Sequence, residues 1–294
     1  NNTAGGTINI ANQIDVSLQN NTLKADINIT SLRLGNGPVT INGNIITGNF
    51  LLNNLDGIQV YTGGNQFNGT TSFMVTNVLL VTGYSGLGAD TYNGNTSITI
   101  GNWADLYESY SYGNQYNGNL TVTRTGISSG RSTILFNAGH VGISGNFTLS
   151  SPYGDYTVLN EQGSASALIQ GTVNIDVSNA LEFRMRGVSN NTAGGTITIN
   201  NCGSINMSKD TLVANVAVTN ITGSGDDVFY QNKVTGSFTL SDDIANGAGI
   251  FSGGNTINGA TAYTLNSAAS FNTSAGGQGK DIHNGSFSLT RNGT

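Results

Sequence analysis

Apolar residues spaced two apart recur along the whole chain, usually just after a glycine. The pairs are Ile8/Ile10, Ile27/Ile29, Phe50/Leu52, Phe73/Val75, Ile98/Ile100, Leu120/Val122, Phe147/Leu149, Val173/Ile175, Ile197/Ile199, Val216/Val218, Phe238/Leu240, Tyr263/Leu265 and Phe287/Leu289. There are thirteen, spaced 19 to 27 residues apart. Alternation of this kind marks short strands with one face turned inward and the other outward. Between the pairs lie further apolar runs, such as Val78-Leu79-Leu80-Val81, Thr133-Ile134-Leu135-Phe136 and residues 181–185. One strand signal per 20 to 30 residues, with two more short strands between, reads as a stacked array. A propeller blade would need roughly 40 residues. The pattern therefore predicts an all-β chain, a right-handed parallel β-solenoid of about 13 rungs with roughly 23–24 residues per rung, continuous over residues 1–294.

A longer period encloses the short one. Asn1-Asn2-Thr3-Ala4-Gly5-Gly6-Thr7-Ile8 returns unchanged at residues 190–197, an offset of 189. Asn21-Thr22-Leu23 is answered by Asp210-Thr211-Leu212, and Gly64-Asn65 with Asn68-Gly69 by Gly254-Asn255 with Asn258-Gly259. Asp90 before Asn93-Gly94 is answered by Asp281 before Asn284-Gly285. Residues 1–189 thus form one long repeat and residues 190–294 a partial second copy. No rung is expected to fold alone. Its few inward side chains contribute roughly 1.5–3 kcal/mol each, against roughly 1–2 kcal/mol of backbone entropy for every residue ordered. The repeat begins at once and continues to the last strand, which points to a segment of something longer or to rods that stack end to end.

Composition narrows the functional classes. Charged residues are 9% of the chain and hydrophobic ones 37%, with 42 Gly and 2 Pro. That is neither the signature of disorder nor that of a nucleic-acid binder, since 10 Lys+Arg and a net charge of −6 offer no basic footprint. There is no apolar run long enough for membrane insertion. Cys202 is the single cysteine and reads as a small residue on a strand.

The most distinctive chemistry lies in Trp103, Tyr107, Tyr110, Tyr112 and Tyr116, which accompany Asp105 and Glu108. Rings beside carboxylates are what a glycan-binding face uses, with the ring against the apolar side of a pyranose. The competing reading is a structural tyrosine ladder, with Tyr110 and Tyr112 on one strand face beside Tyr92 and Tyr116. Asp105, Glu108 and Arg131 are the best candidates for an acid cluster of the sort polysaccharide-degrading β-helix enzymes need. His140 and His283 are too far apart to suggest a triad. Asp226, Asp227, Asp242 and Asp243 are weak calcium candidates, since calcium wants six to eight oxygens; otherwise no cofactor is expected. In Glu182-Phe183-Arg184-Met185-Arg186 the charges are expected to face out and Phe183 and Met185 in. Thr7, Thr96, Thr121, Thr148 and Thr196 are expected on outward strand faces, too irregularly spaced for an ice-binding lattice.

Several short stretches share a Gly-Asn-x-aromatic/Ile-Asn-Gly theme: Gly64-Asn65-Gln66-Phe67-Asn68-Gly69, Gly113-Asn114-Gln115-Tyr116-Asn117-Gly118 and Gly254-Asn255-Thr256-Ile257-Asn258-Gly259, with Asp90-Thr91-Tyr92-Asn93-Gly94 a variant. In this wording the chain resembles the giant β-strand-repeat surface proteins exported by the type 9 secretion system of gliding and biofilm-forming bacteria. The resemblance implies an extracellular or outer-cell-surface adhesin or filament without catalysis, with self-association or surface glycans as partners. It also implies that Thr211, in Asp210-Thr211-Leu212, is an O-glycosylation acceptor. The expectation is a structural rod, with a carbohydrate-binding solenoid as the alternative and a polysaccharide-degrading enzyme third.

Overall fold

The structure is a computed structural model of the chain. It describes residues 5–13, 15–30, 38–54, 59–84, 86–126, 131–153, 156–161, 166–190, 194–223, 227–242, 249–266, 270–274 and 277–292, the side chains of Asn54 and Asp242 excepted. The chain winds through three parallel sheets of 13, 12 and 12 strands, visiting each in turn before starting the next rung. Every strand pairs in parallel with its counterparts one turn below and above, as in Ile8 beside Ile27 and Ile197 beside Val216. The β-solenoid follows, with slightly fewer complete turns than the thirteen expected. All thirteen apolar pairs lie on the first sheet, from Thr7–Ala11 through Phe50–Asn54 and Phe147–Ser151 to Phe287–Arg291.

The pairs do not always stack on each other. Phe50 lies beside Thr71 and Leu52 beside Phe73. Farther up, Phe238 lies beside Thr261 and Leu240 beside Tyr263. These are slips of two residues. Because side chains alternate with a period of two, such a slip leaves the inward face inward. It brings Thr71, Thr96 and Thr261 into the core, each 2% exposed. Thr96 is therefore not on the outward face, as its place before the strand suggested, whereas Thr121 and Thr148 lie between buried neighbours on the outside and Thr196 is exposed beside the buried Ile197.

The recurring motif is decoded at two corners. Between the second and third sheets, the residue opening the corner is left-handed turn after turn. Asn20, Gly43, Gly64, Lys209, Gln231 and Gly254 have φ between 54° and 69°, a region where glycine costs nothing and other residues roughly 1–2 kcal/mol. The next residue turns inward. Asn44 and Asn65 are buried, and the Oδ1 of each accepts the backbone amide one turn below: Asn21 to Asn44 at 3.0 Å, Asn44 to Asn65 at 3.0 Å. Asn65 passes its own amide to Asp90 and Asp90 to Asn114, at 3.0 and 2.8 Å. A second column runs from Asp210 through Asn232 and Asn255 to Asp281. The aromatic of the motif then enters the core. Phe67, Tyr92 and Tyr116 stack face to face with centroids 5.1 and 4.8 Å apart.

The glycine that ends the motif serves the corner between the third and first sheets. A Cβ on Gly118 would stand 2.6 Å from the carbonyl oxygen of Gly94, and one on Gly145 2.6 Å from that of Gly118. The backbones of successive turns touch there, which selects glycine at most turns, with Ala25 and Ala214 in the same place at two others. Beside this glycine stack runs an outer asparagine column. Asn49, Asn95, Asn119, Asn146 and Asn215 each accept the amide of the next turn through Oδ1, at 2.8 to 3.0 Å.

Candidate functional site: the outer face of the second sheet

Strand Asp105–Tyr107 sets the geometry of the distinctive stretch. Leu106 is buried in the core, so Asp105 and Tyr107 face out. Asp105 accepts the Arg131 guanidinium at 3.0 Å and the Ser132 amide at 2.8 Å. The same guanidinium lies 5.6 Å from the centre of the Trp103 ring, which is 56% exposed. A cation at that distance is attracted by the ring face. Tyr61, Tyr84 and Tyr110 form a row with centroids 4.4 and 6.1 Å apart, and Tyr107 meets Tyr110 edge-on at 5.8 Å. Tyr61, Val81, Tyr107, Ile134 and Val158 occupy one column of the sheet. Val81, Ile134 and Val158 are buried yet lie outside the main core, which gives this face an apolar strip.

The predicted glycan residues are therefore only partly together. Trp103, Tyr110 and Tyr112 are exposed and Tyr107 is half-buried. Tyr116 is the correction. It is buried, with its ring against Tyr92 and its hydroxyl donating to Glu108 Oε1 at 2.8 Å, and an external ligand has no access to it. The expected ladder of Tyr110 and Tyr112 beside Tyr92 and Tyr116 does not form as one row: Tyr92 and Tyr116 stack in the core, while Tyr110 stacks on Tyr84 outside, which is in turn tilted against Tyr61.

The acid cluster is split across the sheet. Asp105 and Arg131 meet on the surface, while Glu108 is turned into the core. An odd spacing of three along an extended segment puts two side chains on opposite faces, a signal already present in the sequence. Glu108 is held by the hydroxyls of Ser109 and Tyr116, the Asn114 amide group and the Phe136 backbone amide. Burial raises its pKa, and these hydrogen bonds oppose the shift. Arg124 is the buried cation that went unpredicted. It donates to the carbonyls of Gly101, Ala104 and Ser132 and to Thr133 Oγ1, and its place two residues after Val122 had marked it as inward.

The remaining candidates scatter. Asp226 and Asp243 lie outside the described residues, as does the Asp242 side chain. Asp227 is buried and accepts the Ile205 amide at 2.8 Å. Among the described residues no three His, Cys, Asp or Glu side chains gather as metal ligands. His140 Nδ1 lies 2.7 Å from Ser166 Oγ and His283 Nδ1 3.1 Å from Thr261 Oγ1, in separate parts of the rod. Phe183 and Met185 are buried, and Arg184 bonds Glu182 on the outer face. Thr211 is half-buried on its strand, between Ser189 and Lys233. Cys202 is free and buried, its thiol pushed up to about 12 by burial. The fold defines a parallel β-solenoid. Comparison with protein-family models, curated proteins and solved structures gave no match.

Proposed function

We propose that the chain is a rigid structural segment of an extracellular filament or surface adhesin, acting as a rod. The observation that carries this reading is the axial continuity of the corners. Asparagine and aspartate Oδ1 atoms hand one turn to the next along the inner column from Asn21 to Asn114, and asparagine Oδ1 atoms do so along the outer column. Bonds aligned with the axis in that way resist both stretching and bending. The low charge and the type 9 export resemblance support an outer-surface location. Labelling intact source cells with antibody against the chain, viewed by electron microscopy, tests it. Decorated filaments or surface rods are expected, and labelling confined to permeabilised cells refutes the proposal.

A second reading, glycan binding, is favoured by the indole of Trp103 beside the Arg131–Asp105 pair. A flat exposed ring flanked by a donor fork and a carboxylate suits a sugar face and its hydroxyls.

A further inference from the structure

The inner corner column is built of asparagines with carboxylates interspersed, and the carboxylates are not held alike. Each buried asparagine uses Nδ2 as well as Oδ1. Asn44, Asn65, Asn232 and Asn255 donate to the carbonyls of Leu18, Ile41, Met207 and Phe229, at 2.6 to 2.9 Å. In each case the acceptor lies three residues before the column residue of the turn below. An aspartate in this place has no such donor and must be given one. Asp90 receives the Thr62 hydroxyl at 2.5 Å and Asp281 receives that of Ser252. Thr62 and Ser252 stand at the same place, three residues before Asn65 and Asn255.

Asp210 lacks this arrangement. It is buried, its Oδ1 accepts the Val188 amide at 2.9 Å, and its Oδ2 is buried with no hydrogen-bond partner. Val188 holds the column position below, and the residue three before it is Met185, which has no hydroxyl. We propose that Asp210 sits in the folded rod as a neutral carboxylic acid, its O–H filling the donor role of an asparagine Nδ2, so that ionisation of this one group loosens the rod at the turn where the second long repeat begins. In the first repeat the corresponding residue is Asn21, a neutral amide.

Burial pushes the Asp210 carboxyl up to about 8, against weaker opposing effects from the Val188 and Ser208 amides and the Arg186 charge. Arg186 ends the strand below, on the second sheet, while Lys209 before Asp210 and Lys233 on the strand above are exposed. An unfolded aspartate titrates near 4. The folded value is the higher one, so this group's contribution is fully present below about pH 4 and is lost as pH rises towards about 8.

The test compares the chain with Asp210→Asn, measuring unfolding equilibria by denaturant between pH 4 and 9. Asp90 and Glu108 are common to both proteins and cancel in the ratio. The variant is expected to gain on the parent by roughly tenfold per pH unit across the window and to level off above about pH 8. A ratio independent of pH overturns the proposal. Should the variant fail to fold, infrared difference spectra of the parent between pH 6 and 9 decide with isotope-labelled aspartate. Loss of a neutral carboxylic-acid band that persists in each of Asp90→Asn, Asp227→Asn and Asp281→Asn supports the assignment, and no such band at pH 6, or its disappearance in Asp227→Asn, overturns it.

Discussion

The rod carries two columns of asparagine that do the same job in different surroundings. At the inner corner, Asn44, Asn65, Asn232 and Asn255 are buried and use both ends of the amide. At the outer corner, Asn95, Asn146 and Asn215 are exposed and accept one amide each with Oδ1. The contacts look alike and their lengths overlap. What differs is the alternative open to each partner when the asparagine is gone. An orphaned amide at the outer corner turns to water. One at the inner corner has nothing to turn to and loses its full desolvation cost, roughly 1–3 kcal/mol per group. The same residue type is thus a structural requirement at one corner and a modest preference at the other.

The sharpest way to break this contrast is Asn65→Ala. The substitution strands the Asn44 backbone amide below, takes one of two acceptors from the Asn44 side chain, which keeps the Leu18 carbonyl, and removes the donor to the Ile41 carbonyl and one donor to Asp90. A loss of about 3–5 kcal/mol is expected from the orphaned groups. Because stability in a stacked array is held turn by turn, hydrogen exchange should locate the loss at the neighbouring turns. Protection unchanged around residues 41–66 would contradict the account.

Gly118→Ala comes next and probes the outer corner by overpacking. Its methyl would stand 2.6 Å from the Gly94 oxygen and 2.7 Å from the carbonyl carbon, so two backbones must part. About 2 kcal/mol of destabilisation is expected, within the range for forced repacking. Asn119→Ala at the same corner should cost about 1 kcal/mol or less, since Asn146 N–H, which it releases, is on the surface. Denaturant unfolding of the two variants side by side reads the order, and a larger loss for Asn119→Ala would reverse the comparison.

Much of this architecture was legible because it rests on period. Thirteen alternating pairs located the thirteen strands of the first sheet, since alternation is what a strand with one buried face imposes on a sequence. Register was not legible. Ile98 and Leu120 look equivalent, but Ile98 stacks on Val122, and a shift of two is invisible to a pattern of period two. Gly64 to Gly69 stood out as a motif, yet its parts do four different things. They are a left-handed turn, an inner column residue, a core ring and a close approach of backbones, and those roles appear only when turns are stacked. The candidate site was legible in composition more than in arrangement. Trp103 and Tyr110 are exposed as expected, while Tyr116 and Glu108 were drawn inward by spacing that the aromatic richness of the stretch obscured.

The smallest expected effect on the fold separates the two readings of that stretch. Trp103 is more than half exposed, and the ring contact described for it is the Arg131 guanidinium, itself bonded to Asp105. Exposed cation–ring contacts contribute only about 0.5–1 kcal/mol, so Trp103→Ala should leave denaturant unfolding within about 1 kcal/mol of the parent. Binding to immobilised polysaccharides is the discriminating measurement. If the rod is purely structural, parent and variant bind nothing and behave alike. If the outer face of the second sheet takes sugars, the parent binds a defined set and the variant loses it, while Tyr116→Phe, which keeps the buried ring, retains it. Binding by the parent that survives Trp103→Ala would place the sugar contact elsewhere on the rod and remove this face from consideration.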